Sequence, residues 1–253
     1  MDATAHVRIG LLDGFTLQPC GRPGGAAVED LPHGVQRLVA LLGLVGRPTR
    51  TAVAGSLWPD VPEEQAHGSL RSALWRLQKV VPGLVEVSGG ALALAAGVRV
   101  DVRELAEWAR AVLDPGTPLD DLLVPDVGPR GELLPGWYDD WVIVERERLR
   151  QLRMHALEAL AGRLADGGRY GEAVQAAYAA VRAEPLRESA HRAVVRVHLA
   201  EGNLAEALRA YHAFRTLLDD ELGVAPSAQM DGLVAGLCPR QRPVARLARV
   251  PAR

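Results

Sequence analysis

Within GSLRSALWRLQKVV, residues 68–81, Leu70, Leu74, Leu77 and Val81 recur at helical spacing. They form one narrow apolar stripe with Ala73 at its edge. The opposite side carries Ser72, Arg76 and Lys79, with Gln65, Ser69, Arg71 and Trp75 at its margins. The same periodicities predict elements along the whole chain. HVRIGLLDGFTLQ is a hairpin that turns near Asp13-Gly14. GVQRLVALLGLVG is a helix with Leu38, Leu41, Leu42 and Val45 on one side and Gly46 as its stop. RPTRTAVAGSLWPD is a short helix capped by Thr49 or Thr51, with Trp58 as core at its end before Pro59. VPEEQAHGSLRSALWRLQKVVPG is a longer helix stopped by Pro82-Gly83, and LVEVSGGALALAAGVRVDV is a second hairpin about Gly89-Gly90. Three helices alone make too small a core. Flanking strands cover its open faces, and the second hairpin lies beside the third helix as a wing.

From Asp101 onward the pattern is almost entirely helical. One helix covers about 101–113. A Pro/Gly-rich connection follows, with a turn of helix near LDDLL, and a long helix begins near Trp137. GRYGEAVQAAYAA and GNLAEALRAYHAF then repeat at an offset of 34 residues, the period of tetratricopeptide helix pairs. Gly168 and Gly202 are the turn glycines. Tyr170 and Leu204 are packing residues, and Ala173, Ala180 and Ala207 sit where paired helices approach closely, with Tyr211 and Pro185 completing the pattern. Two unrelated helical hairpins are the alternative reading.

Charge sharpens this division. The 253 residues carry a formal net charge of −2. Residues 1–97 hold eight basic and eight acidic side chains, residues 98–238 hold 16 and 23, and residues 239–253 hold five arginines and no acid. The acidic middle suits basic partner surfaces and repels DNA. The Pro/Arg-rich tail 239–253 is expected to be disordered, with its arginines either solvated or on phosphate. Cys20 and Cys238 form no metal-spaced pair and no disulfide framework. No apolar run spans a membrane, and no secretory leader opens the chain, so a cytoplasmic protein without membrane association is expected.

Candidate chemistry is sparse. His191 and His198 share a helix face but have no third ligand nearby in sequence, so they read as surface or inter-helix residues. ERER at 145–148, with Arg150 and Arg153, reads as a charge-laced surface giving i,i+4 pairs. No nucleophile elbow is present, and GRPGG lacks the strand–GxxxxGK–helix setting of a phosphate-binding loop. Neither an enzyme nor a cofactor is expected. The polar face of helix 66–81 has two readings, a solvated surface or a groove-reading surface. Arginine and lysine suit guanine edges and phosphates. Trp75 has two readings as well, packing with a polar edge or lying against sugar and phosphate.

VQRLVALLGLVGRPTRTAVAGSLWPDVPEEQAHGSLRSALWRLQKVV resembles the front half of the Streptomyces antibiotic regulatory protein family, with its OmpR-type winged helix. LLPGWYDDWVIVERERLRQLRMHALEALA resembles the start, and LGVAPSAQM the end, of that family's bacterial transcriptional activation domain. The resemblance covers about residues 6–238. It implies a mainly α protein: an N-terminal winged helix-turn-helix with flanking β-hairpins over 1–97, then an all-α tetratricopeptide-like domain over 98–238. It also implies a transcriptional activator of secondary-metabolite genes that binds tandem direct repeats in double-stranded promoter DNA. Two protomers would lie side by side as a homodimer on DNA and recruit RNA polymerase holoenzyme, sigma factor included. By the family's pattern Gln65, Ser69, Arg71, Ser72, Trp75, Arg76 and Lys79 enter the major groove. Thr49, Arg50 and Thr51 meet phosphate, while the departures of this wing leave its contacts to the backbone N–H groups of Ser88, Gly89 and Gly90, or make them weak. Two departures stand out. Gln78 replaces a common arginine, and the wing VSGGALALA lacks the usual arginine and aromatic residue. A short member without a nucleotide-binding control domain is expected. The rival reading is a repeat-based interaction scaffold with a vestigial winged helix. Trp137, Tyr138 and Trp141 are expected to anchor the long helix on the repeat domain.

Overall fold

A computed structural model describes residues 7–19, 31–122 and 131–237. The loop GRPGG, the arginine tail and both cysteines lie outside these described residues. The chain forms two compact units that divide between Ala156 and Leu157. In chain order the first holds β1 (Val7–Gly10), β2 (Thr16–Pro19), α1 (His33–Val45), α2 (Arg50–Leu57), α3 (Glu63–Val80), β3 (Val85–Ser88), β4 (Ala91–Leu94), β5 (Arg99–Val100) and α4 (Asp101–Leu113). A short 3₁₀ turn at Leu119–Asp121 follows, where the LDDLL turn was expected, and then α5 (Asp140–Asp166), inside which the division falls.

β1 and β2 pair antiparallel across a turn with positive φ at Asp13 and Gly14. Alternation puts Val7, Ile9 and Leu17 in the core and Arg8 outside. The sequence did not suggest β5, which has only two residues and joins β1 in parallel to give the order β2-β1-β5. α1 buries Val35, Leu38, Val39, Leu41 and Leu42. Val45 was expected with them but is 56% exposed, because it is the last helical residue and lies past the core's edge. Thr49, not Thr51, caps α2: its hydroxyl accepts the Ala52 N–H at 3.2 Å. Trp58 is half-buried against the core. β3 and β4 form the second hairpin, with positive φ at both Gly89 and Gly90. That pair of dihedral signs suits the tight hairpin turn whose twist matches the strands. The hairpin is tied to the loop ahead of α2: the Leu92 N–H donates to the Pro48 carbonyl at 2.9 Å and the Arg50 N–H to the Gly90 carbonyl at 3.2 Å.

The unit closes through polar side chains that grip backbone. One carboxylate, Asp101, accepts the Leu11 and Leu12 N–H groups at 2.9 Å and its neighbour Val102 at 2.7 Å. Arg103 donates to the Leu42 and Gly43 carbonyls at the end of α1, where the helix leaves its own acceptors unmatched. Arg146 points inward to the carbonyls of Leu133, Leu134 and Trp137 and pairs with Glu132. This corrects the expectation that the whole ERER run faces solvent. The remaining pairs, Glu145–Arg148 and Glu147–Arg150, are i,i+3 rather than i,i+4. A second correction concerns the aromatic run. The Trp137 ring lies 6.3 Å from Phe15 and 4.7 Å from His33, and Trp141 packs on the first unit's core. Tyr138 is 81% exposed. None of the three anchors on the repeats as expected. All lie in the first unit, because the turn at Leu134–Trp137 folds back on the β1–β2 hairpin before α5 begins.

The second unit holds the rest of α5 with α6 (Tyr170–Ala183), α7 (Glu188–Glu201), α8 (Leu204–Leu222) and α9 (Ala228–Val234). α6 packs on α7 and α7 on α8. Gly168 and Gly202 take positive φ at the turns, and Ala173, Ala180 and Ala207 are fully buried. Tyr211 donates its hydroxyl to Asp231 at 2.8 Å. Tyr170 is half-buried, but Leu204, expected to pack, is 48% exposed at the first position of α8. His191 stacks on Phe214 at 4.1 Å, and its Nε2 donates to the Pro185 carbonyl at 2.8 Å. No helix among the described residues is long and apolar enough to cross a membrane.

Two outcomes are expected. Asp101→Ala leaves the Leu11 and Leu12 N–H groups without their acceptor and costs about 2–4 kcal/mol, measured by denaturant unfolding of the full chain. A loss below about 1 kcal/mol contradicts the assignment. Burial pushes the His191 imidazole below its ordinary range, and the Pro185 carbonyl offsets only part of this. The folded chain therefore binds this proton less well than the unfolded chain. The contribution is fully present above about pH 6.5 and is lost as pH falls through that value toward the lower folded pKa. An NMR titration of His191 should have its midpoint below 6.5, and a midpoint at or above 6.5 contradicts this.

Candidate nucleic-acid interface

α3 buries Ala66, Leu70, Ala73 and Leu77, while Leu74 is only half-buried. The buried stripe is therefore centred on the Ala66–Ala73 side and not on Leu74. At about 100° per residue this rotates the outward face as well. Trp75 and Lys79 lie nearly opposite the buried stripe, with Arg71 and Ser72 beside them and Arg76 at the flank. The expected packing of Trp75 is not observed: the indole is 60% exposed. Its one ring partner among the described residues is Lys79, whose Nζ lies 3.8 Å from the ring centroid. An exposed cation–π pair of this kind contributes about 0.5–1 kcal/mol.

Gln65, Arg71, Ser72, Arg76 and Lys79 are exposed and Ser69 is half-buried. Five of the expected positions, Gln65, Ser69, Arg71, Ser72 and Arg76, line one groove of about 670 Å³ with Gly68, Trp58 and the start of α1 at Pro32, Gly34 and Val35. The Ser72 hydroxyl donates to the Gly68 carbonyl at 3.1 Å, so it offers an acceptor outward and not a donor. Gln78 lies off this face. Its Oε1 accepts the Gly83 N–H at 3.3 Å just past the end of α3, which gives the departure from arginine a local structural role.

Arg50, Thr51 and Gly89 form a second group. The Arg50–Gly90 hydrogen bond places the wing turn at the start of α2. Thr51, Ser88, Gly89 and Gly90 are exposed and Arg50 is half-buried. The wing adds no cation here. Val87 is its exposed large apolar side chain.

Ion pairing separates these arginines from their neighbours. Arg37 pairs with Asp139, Arg99 with Glu104 and Arg146 with Glu132. Among the described residues Arg50, Arg71 and Arg76 have no carboxylate partner. Glu63 and Glu64 occupy the first turn of α3, where they suit the helix dipole, and Glu63 sits 3.5 Å from His67. The cations of α3 thus lie in its middle and last turns, away from Glu63 and Glu64. Unpaired guanidinium and ammonium groups on an exposed helix face can meet guanine edges and phosphates.

Gly68 is the groove residue that sequence reasoning missed. It lies on the outward face of α3 with no side chain, in a helix interior where glycine is costly. Its signal was its place one turn before Ser72 and two turns before Trp75.

Residues 129–237 match the family model of the bacterial transcriptional activator domain. The chain is 36% identical to the regulatory protein AfsR of Streptomyces coelicolor over 76% of its length, and 32% identical to the AfsR of Streptomyces griseus over 86%. It spans only 20% and 24% of those two relatives. Among solved structures it resembles Mycobacterium tuberculosis EmbR in complex with a low-affinity phosphopeptide, with a TM-score of 0.65 and 19% identity. That likeness covers 92% of this chain and 66% of EmbR, and it supports the same fold: a winged helix followed by a helical domain.

Gly68→Ala tests what the bare position does for the fold. The added Cβ would meet only the Arg71 guanidinium, at 3.8 Å. The substitution should raise stability by about 0.5–1 kcal/mol, read from thermal or denaturant unfolding. Destabilisation would show that the glycine is needed for packing.

Proposed function

Because the chain belongs to the Streptomyces antibiotic regulatory protein family and carries a bacterial transcriptional activator domain over 129–237, we propose that it is a sequence-specific DNA-binding activator. The observation that carries this is the set of unpaired cations on the outward face of α3, beside a groove lined by polar side chains. α3 enters the major groove. Arg71 and Arg76 read base edges or phosphate, Lys79 adds a cation, and Gln65, Ser69 and Ser72 supply polar contacts. Arg50, Thr51 and the Gly89 turn meet the flanking backbone. Residues 1–97 bind the DNA, residues 98–238 carry the activation function, and the basic tail from 239 adds at most non-specific attraction. No cofactor takes part.

Target sites are tandem direct repeats in promoters of a secondary-metabolite gene cluster. They are bound by two protomers side by side, and RNA polymerase holoenzyme is recruited through its sigma factor and other subunits. The protein acts in the cytoplasm, at the nucleoid. A low charge in the first 97 residues limits what one protomer gains from counterion release. A second protomer and the polymerase then supply the remainder by raising effective concentration.

A scaffold role with a vestigial winged helix is the second reading, favoured by the wing's lack of any cation from Val87 to Ala95. Fluorescence anisotropy on promoter DNA from the gene's own neighbourhood separates the two. Arg76→Ala should cost about 1–3 kcal/mol and relax selectivity, and Lys79→Ala should reduce the salt slope by about one. Gly68→Ala should weaken promoter binding while leaving the chain folded. Selective binding that survives Arg76→Ala and Lys79→Ala together refutes the site. Equal affinity for promoter and random DNA at physiological salt refutes the activator reading.

A further inference from the structure

Trp75 is an exposed indole in the middle of a polar helix face. It lies almost opposite the buried residues Ala66, Leu70, Ala73 and Leu77, one turn from Arg71 and Ser72. Large apolar groups left in water are uninformative when scattered singly. This one is not isolated, because the chain's single lysine is docked on its ring at 3.8 Å. The ammonium occupies one π-face, and the residue as a whole stays 60% exposed.

We infer that Trp75, backed by Lys79, reads thymine methyl groups in the operator. The inference rests on the proposed insertion of α3 into the major groove. In intact duplex no base face is open to stacking. Deoxyribose lies at the rim of the groove, where side chains on the flanks of the helix arrive. Trp75 lies at the centre of the outward face and meets the groove floor. There the base edges offer hydrogen-bonding groups and one apolar group, the 5-methyl of thymine. Contact with the outer ring face buries both apolar surfaces. The lysine on the opposite ring face keeps a positive charge beside the methyl-bearing base pair, within reach of the neighbouring guanine or phosphate. Selectivity at such a position comes from the methyl, not from a hydrogen bond.

The test uses the full chain and its footprinted promoter site. Each thymidine in the footprint is replaced in turn by deoxyuridine, which removes only the methyl. Wild type should lose about fourfold in affinity at one or two positions, the value of one buried methyl group. Trp75→Ala should bind unmodified DNA more weakly by at least that factor and lose no more at those positions. Trp75→Phe should keep the sensitivity. Because Trp75 is exposed, the Trp75→Ala midpoint should fall only by the few degrees that loss of the lysine contact costs, with less change in Trp75→Phe, and this is checked alongside. Wild type that binds selectively but tolerates every deoxyuridine overturns the inference alone. So does Trp75→Ala that keeps the methyl sensitivity, or that weakens promoter and random DNA equally, which would put the indole against the backbone or a protein partner. Wild type that fails to distinguish promoter from random DNA overturns the inference together with the function it rests on.

Discussion

The carboxylate of Asp101 holds the first unit together. β1 ends at Gly10, and the next two backbone donors, Leu11 and Leu12, have no strand partner, so both turn to this side chain. Asp101 is also the first residue of α4, directly after β5, which pairs with β1. One residue therefore closes the sheet and starts a helix. Its effect travels along the chain. With residues 11–13 fixed, the Leu11 carbonyl accepts the Leu134 N–H at 2.9 Å and the Asp13 N–H donates to Glu132 at 2.8 Å. Arg146 then seals that segment from α5. Burial pushes the Asp101 carboxyl above its usual range, against the opposing pull of the Leu12, Leu11 and Val102 N–H groups and Arg8. Desolvation outweighs the opposing hydrogen bonds in setting that direction. Removing it is still costly, because the orphaned amides remain buried.

The same economy explains how a unit with no net positive charge presents a cationic helix. Several other arginines are engaged within the unit: Arg103 caps the end of α1, Arg146 binds three carbonyls, and Arg37 and the exposed Arg99 are paired with carboxylates. Arg71, Arg76 and Lys79 on α3 and Arg50 at the start of α2 are among the cations left without a carboxylate. Net charge from composition hides this, since it counts buried and exposed guanidinium groups alike.

Local sequence signals marked their elements correctly. Asp13-Gly14, Thr49, Gly89-Gly90, Gly168 and Gly202 each dictate a turn or cap through their own backbone preferences, and the structure uses them so. The failures share a cause, which is dependence on partners far away in the chain. β5 is a strand only because β1 is there. Arg146 has the sequence signature of a surface residue and points inward because three carbonyls converge on it. Trp137 finds Phe15 and His33 across more than 100 positions. The outward face of α3 was misjudged for another reason. Leucine dominates an apolar pattern, yet the small Ala73 is the residue fully covered and Leu74 the one left half-buried. Side-chain size, read alone, displaced the stripe and put Trp75 at a margin instead of at the centre.

This rotation changes what the helix can do. With Arg76 at the flank and Trp75 and Lys79 at the centre, the proposed guanine readout by Arg76 falls to the side and Lys79 is the central cation. The middle offers shape and apolar contact. Such a surface neutralises few phosphates, so its salt dependence is shallow and its non-specific affinity is low. For the proposed regulator, bound as two protomers side by side, this would be favourable. Weak attraction to random DNA keeps single protomers free, and selectivity gained at two adjacent sites multiplies. The acidic run from 98 to 238 acts in the same direction, since it opposes any second, unspecific contact with the duplex. Affinity is thereby made conditional on partners, which is how a binding event becomes a regulated one.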